Sequence, residues 1–430
     1  MILIFSQKDS PRIQYICHFI FQEYFDIPFK VITDLNEFLS AEGAKINYSN
    51  QRLSDCFNIA NAELLFENTI KPQNIECFTE GSLKAFFQIN NSDISFDIFA
   101  AAFYLITRYE EYLLHTKDIY GRYAYENSLA WKEGFLDKPV VNYWLNDFSE
   151  TLKNKFTFLK IEKKEFTFLP TYDIDIAWSY KNKGMLRNVG GFALSPSLER
   201  IRVLMGLEKD PFDAYAFLDK LHQDQNVKPL YFFLVAKQKS KYDKNISRKS
   251  VEMQDLILHH CQKYDIGLHP SWESNADIKI LQEEKSYLEK ICGRPIKKSR
   301  QHYIQFSLPG TFKELTDAGI TDDYSMGYGS INGYRASVAS TYFWYNLEEE
   351  KVTPLRLHPF CFMEANSYYE QKFSADSAYD ELLHYYRECK KINGVFISIF
   401  HNNFLGKGQP FNEWRVMYEH FIKEVCKADF

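Results

Sequence analysis

At 430 residues, 45% hydrophobic and 25% charged, the chain has the make-up of a soluble globular protein long enough for two cores. A formal net charge of -6, with lysines scattered rather than clustered, argues against a general binder of nucleic acid or of anionic membrane. Eight cysteines (positions 17, 56, 77, 261, 292, 361, 389 and 426) contain no C-x-x-C pair, so reduced thiols in a cytosolic protein are expected and a zinc cluster is not.

The opening MILIFSQKDSPR lacks the basic stretch and the long apolar run of a signal peptide. It is expected to be a first strand (Ile2 to Phe5), and the protein is expected in the cytoplasm. Ser10-Pro11 then predicts a helix start, with apolar residues at Ile13, Ile16, Phe19 and Ile20 on one face. Asn47 to Phe66 mixes short apolar runs with polar breaks. Phe96 to Leu114 predicts the strongest helix of this region, with Glu110 and Glu111 on a solvated face at its far end. Within it, Ile98 to Ile106 is the closest approach to a membrane span, but it is far short of the roughly 18 apolar residues required. A loop is expected over 118–126 and a helix from Pro139 to Phe156. No catalytic constellation stands out here. The pattern changes near 160–164, which divides the chain into a domain of unassigned role over 1–162 and a second over 163–430.

Beyond that point short β-rich runs alternate with amphipathic stretches. Strands are predicted over Phe166–Tyr172, Pro229–Val235, Asp265–Leu268, Ile296–Tyr303, Thr353–Leu357 and Gly394–Phe400. Helices are predicted over Pro211–Gln223, Ser250–Lys263, Ile278–Cys292, Thr311–Ala318 and Ser377–Lys391. Such alternation implies an α/β fold with a parallel sheet, either a barrel or a doubly wound sheet.

The polar residues fall at the strand ends. Asp173 and Asp175 end the first strand, where they form either a turn pair or a charged site. His269, Arg300 with His302, His358 and His401 end or follow later strands. In parallel α/β folds the carboxyl ends of strands carry the active site, so five such ends point to one polar pocket. Asp and His together suit a borderline cation such as zinc, cobalt or nickel, with Glu273 a candidate third ligand four residues after His269. A second carboxylate can then act as general base, oriented by the fork of Arg300, and a His across the pocket can protonate the leaving group. The parts make a metal-dependent amide or ester hydrolase.

These segments also carry a resemblance. TYDID (171–175), KPLYFFLVA, DIGLHPSW, SRQHY, LTDAGITDDYSMGY and VFISIFHNN, in this order, resemble the NodB-homology polysaccharide deacetylases, carbohydrate esterase family 4. The resemblance covers about 165–405. Together with the front region it is similar to a Bacteroidetes-type subgroup with an extra N-terminal domain. It implies a distorted (β/α)7-type barrel preceded by a smaller α+β or α/β domain. It also implies a divalent metal and removal of N- or O-acetyl groups from a sugar or polysaccharide. By that resemblance Asp173 is the base, Asp175 and His269 are metal ligands, Arg300 orients the base and His401 is the leaving-group acid. Asp323 sits in the segment that resembles the family's Asp-Ser-Ser region.

The chain departs from the family pattern in three places. Ile174 separates the two aspartates, Glu273 stands where the second metal His is usual, and Arg300-Gln301-His302-Tyr303 replaces R-P-P-Y. His302 is therefore a substitute ligand, a substrate contact or a packed structural His, and His358 is equally open. Long loops over 176–210 and 324–350 are expected over the pocket mouth. From them and the motifs, Tyr303, Trp178, Trp272, Tyr328 and Arg335 join His302, Asp323 and His358 as candidate substrate contacts. Two alternatives stand beside the deacetylase. One is a catalytically impaired barrel that binds carbohydrate or a protein partner; the other is a metal hydrolase of a non-sugar amide.

Overall fold

A computed structural model describes all residues except 185–187, 189–190, 192–195 and 428–430. Part of the expected 176–210 loop thus lies outside the described residues.

The first 160 residues build a four-stranded parallel sheet from β1 (Ile2–Ser6), β2 (Phe29–Ile32), β3 (Ala44–Tyr48) and β4 (Phe57–Ile59), in the order β2-β1-β3-β4. A small hairpin of β5 (Phe78–Glu80) and β6 (Leu83–Ala85) follows. The helix after β1 starts where Ser10-Pro11 predicts, because the Ser10 hydroxyl accepts from Ile13 N (3.1 Å) and Pro11 needs no donor there. The buried helix Ile98–Ile106 is shorter than the 96–114 run suggests. It ends because Arg108 turns into the left-handed region (φ 54°), and a 3-10 turn, Tyr109–Tyr112, continues instead.

The remainder builds a nine-stranded sheet. Its strands are β7 (Thr167–Ile174), β8 (Leu230–Leu234), β9 (Asp265–His269), β10 (Lys298–Ser299), β11 (Asp322–Asp323), β12 (Tyr342–Asn346), β13 (Lys351–Leu357), β14 (Phe362–Met363) and β15 (Val395–His401). The order is β12-β13-β11-β10-β9-β8-β7-β15-β14, all parallel except β12, which runs antiparallel to β13. The first strand, β7, pairs with the last, β15, over seven residues, from Val395 opposite Thr167 to His401 opposite Asp173. That is the order of strands around a barrel. Among the described residues, however, no ladder joins the two edge strands, β12 and β14, and the sheet is open there.

The predicted strand 296–303 is cut to two residues. After Ser299 the chain leaves the ladder, and Tyr303 and Ile304 take positive φ (58° and 53°). β12 lies inside the stretch expected as loop, and helix Pro11–Cys17 covers it. Tyr15 OH donates to Phe343 O (2.7 Å), its ring meets Tyr345 (4.8 Å), and Arg12 pairs with Glu350 (2.5 Å). One apolar core runs without a break from Ile2 to Val425. No helix among the described residues is long and apolar enough to cross a membrane.

Candidate metal and acid–base site

The strand ends meet as the sequence predicts. Asp173 lies in β7 and Asp175 just beyond it, His269 and His401 are the last residues of β9 and β15, and Arg300 and His302 follow β10. They line a cavity of about 480 Å³, except Arg300, which lies fully buried behind Asp173. β7 delivers Asp173 and Asp175 to the same side because strand side chains alternate.

Three imidazoles point at Asp175. His269 Nε2 is 3.0 Å from its Oδ1, and His302 Nε2 and His401 Nε2 are 3.4 and 3.5 Å from its Oδ2. Each ring has an acceptor behind it. His269 Nδ1 lies 2.5 Å from Arg300 O, His302 Nδ1 3.0 Å from Asp243 Oδ1, and His401 Nδ1 2.7 Å from Glu364 Oε1. A carbonyl or carboxylate only accepts, so each Nδ1 carries the proton and each neutral ring aims its Nε2 lone pair at the carboxylate. Lone pairs facing a carboxylate need a proton or a cation between them. Buried Asp175 Oδ1 has no hydrogen-bond donor of its own in this arrangement.

Without metal, protons fill that role. Burial lowers the pKa of His302, but Asp175 and Asp243 outweigh it and raise the ring to about 9. Burial opposes His401 likewise, and Glu364 and Asp175 raise it to about 10. Burial pushes Asp175 up, yet His302, His401 and the contact from His269 hold its carboxyl well below the usual range. With a cation in place of the protons, Asp175, His269 and His302 fit as ligands, since their donor atoms lie within 4.8 Å of one another. One carboxylate and two imidazoles, each ring backed by a second acceptor, are a donor set for a borderline divalent ion.

Asp173 is held differently. Arg300 Nη1 donates to its Oδ1 (2.8 Å) and to Thr171 Oγ1 (2.8 Å), and Arg300 Nε donates to Tyr324 O (3.1 Å). Its Oδ2 is 3.8 Å from His269 Nε2. Arg300 is thereby fixed from three sides and faces Asp173 as a charged donor.

The other expectations sort themselves by position. Glu273, expected as third ligand, is exposed on the 3-10 turn Trp272–Ala276 and lines a separate depression with Trp272. The chain turns there before Glu273 can face the strand ends, and His302 stands beside Asp175 and His269 instead. Tyr303 lines the cavity. Trp272 stacks on Tyr242 (3.9 Å) behind the cavity wall, and Trp178 is buried against Tyr215, so neither lines the cavity. Asp323 is fully buried and accepts from Ser299 Oγ, Ser325 N and Ser325 Oγ, tying β10 to β11; burial raises it to about 6. His358 turns aside to Asp322 (2.8 Å) and stacks on Tyr324 (4.2 Å). Arg335 and Tyr328 are buried beside Arg108 and the pair Glu110–Glu111, which is not a solvated face at all.

Sequence reasoning missed Asp243, Glu364, Tyr120 and Arg122. Asp243 lies on a loop and Glu364 directly follows β14, with no motif around either. Tyr120 and Arg122 come from the first region and line the cavity. No local pattern marks any of them, because each reaches the site through a partner 37 to 183 positions away.

A family model described as "Family of unknown function (DUF7033)" matches residues 2–157. No curated protein matches the chain. Among solved structures, a Mycobacterium smegmatis protein described as a polysaccharide deacetylase is 14% identical, with a TM-score of 0.41 over 63% of this chain and 87% of that one. Puue allantoinase is 10% identical, with a TM-score of 0.40 over 61% and 84%. BA3943 of Bacillus anthracis, a CE4 family pseudoenzyme, is 9% identical, with a TM-score of 0.34 over 63% of each chain.

Proposed function

We propose that the protein is a metal-dependent hydrolase that removes acetyl groups from a sugar-containing substrate. The observation that carries this reading is the convergence of the three Nε2 atoms on Asp175, each ring backed by its own acceptor, next to the Arg300-held Asp173. The order of the motifs supports the same class. Residues 1–162 are proposed as a unit packed onto a barrel of residues 163–430.

Asp175, His269 and His302 would hold the cation. When bound, a divalent ion polarises a carbonyl oxygen and lowers the pKa of a water. Asp173, acting as general base, takes a proton from the attacking water, and Arg300 keeps the carboxylate oriented. His401 carries its Nδ1 proton toward Glu364, so a second proton on Nε2 is the one it gives to the leaving nitrogen or oxygen. Aromatic walls suit a sugar face. Tyr120 and Tyr303 stand on one side (5.4 Å apart), and Phe404 and Phe411 on the other (4.2 Å).

The test is metal content of the purified protein together with acetate release from a panel of acetylated amino sugars. Asp175→Ala and His269→Ala are expected to remove both. If the protein binds no divalent metal, and both variants keep the wild-type melting temperature with and without zinc, the enzyme reading is wrong. Metal binding without turnover of any substrate would favour the carbohydrate-binding alternative. Turnover confined to non-sugar amides would favour the other.

A further inference from the structure

His302 is presented to the site by an unusual piece of backbone. Tyr303 (φ 58°) and Ile304 (φ 53°) follow it in the left-handed region, which disfavours any side chain and most of all a β-branched one. Such a turn persists only where its surroundings hold it. Part of what holds it comes from the first region of the chain.

A hairpin closed by the Lys117–Tyr123 bridge reaches the cavity beside this turn. Asp118 organises it. Its Oδ1 accepts from Tyr120 N (2.9 Å) and Arg122 N (3.0 Å), and its Oδ2 accepts from Arg122 Nε (2.7 Å). The guanidinium so fixed donates from Nη1 to Tyr303 O (2.6 Å). The Tyr120 ring lies against it (4.8 Å) and also meets Tyr303 (5.4 Å). Although it sits on a loop, Arg122 is only 4% exposed. Gly329 leaves the space it occupies, since a Cβ there would lie 2.0 Å from Arg122 Nη1 and 2.9 Å from Tyr303 O.

We propose that Arg122 is a positioning residue for the candidate metal centre. By holding the Tyr303 carbonyl it fixes the left-handed turn that aims His302 Nε2 at Asp175. The first 160 residues therefore complete the site carried by the rest of the chain. The inference rests on the reading of Asp175, His269 and His302 as ligands.

The test uses full-length protein with cobalt(II) as the probe, read by calorimetric affinity and by its visible absorption bands. Arg122→Ala is expected to weaken cobalt binding about 10- to 100-fold, the range for loss of an outer support of a ligand, and to change the bands. In a His302→Ala background the same substitution should change affinity by less than about twofold, because the route through His302 is already gone. Wild-type affinity in Arg122→Ala, or an equal loss with and without His302, overturns the proposal. If the wild-type protein takes up no cobalt, the metal-centre reading itself falls; uptake by the wild type with no effect of Arg122 defeats only the positioning role. Should Arg122→Ala fail to fold, Arg122→Lys, which keeps the charge but lacks the fork that holds Asp118 and Tyr303 O together, is read by the same criteria.

Discussion

The histidines around Asp175 owe their character to the groups behind them. Asp243 orients His302 and raises its proton affinity, so a cation must displace a proton that is held up to about pH 9. Cobalt or zinc affinity is therefore expected to rise with pH up to about 9, with protons released on binding. Calorimetry in buffers of different ionisation enthalpy measures both. Asp243→Asn should flatten the pH dependence while weakening the site. In the metal-free protein the sign reverses. His302 and His401 are raised above their unfolded values, so their contribution to stability is full below about pH 6.5 and is lost as pH rises through about 9 and 10. The melting temperature without metal should fall over that window, and less steeply in the double variant His302→Gln, His401→Gln. With metal present, His401→Ala is expected to lower kcat by roughly 10²- to 10⁴-fold, the usual share of a general acid, and to leave cobalt affinity near wild type.

Among the elements, strand ends and helix ends behave differently. Parallel strands point their carboxyl ends one way, so most polar residues at those ends gather at one cavity, although His358 turns aside to Asp322. The strand pattern therefore puts Asp173, Asp175, His269, Arg300 and His401 at one end of the sheet, while their separate roles come from the resemblance. Helix ends are settled by local partners. The helix Ile98–Ile106 stops at Arg108, whose guanidinium is fully buried and pairs with Glu110 (2.8 Å) and Glu111 (2.7 Å). Arg335 then grips Glu111 through both oxygens (2.8 and 2.6 Å) and lies over the Phe306 ring (4.0 Å). Burial raises the Glu111 carboxyl, but Arg335 and Arg108 outweigh it and lower it to about 2. Its stabilising contribution is therefore present above about pH 4.3 and lost as pH falls toward 2. Glu111→Ala leaves two buried guanidinium groups without their shared partner. It should cost about 3–5 kcal/mol in denaturant unfolding, provided the variant folds. A loss under about 1 kcal/mol would mean that solvent reaches this network.

At the scale of the molecule, the two sheets share one core. Helix Pro11–Cys17 covers β12, the edge strand of the large sheet, and the Glu111–Arg335 pair and the Arg122–Tyr303 hydrogen bond tie the same regions together nearer the cavity. Removal of residues 1–162 would expose the apolar residues under that helix, among them Tyr342 and Tyr345, which are now almost fully buried. Residues 163–430 expressed alone are expected to aggregate or to bind an apolar dye such as ANS. The full chain should melt in one calorimetric transition. Two well-separated transitions would show instead that the regions are energetically independent.

Amino-acid order by itself determined the alternation of strands and helices, and with it the one end of the sheet where Asp, His and Arg would gather. Period, caps and strand direction are local properties, so a linear reading recovers them. Only the tertiary structure decided the third candidate ligand. Glu273 has a suitable spacing from His269 but sits on a turn that faces away, whereas His302 is brought in by a left-handed turn held from residue 122. The same holds for Glu111, whose charge reads as solvated until Arg335 is in place. In each case the deciding force is a contact between groups distant in sequence. Burial makes such contacts strong, and nothing in the neighbouring residues announces them.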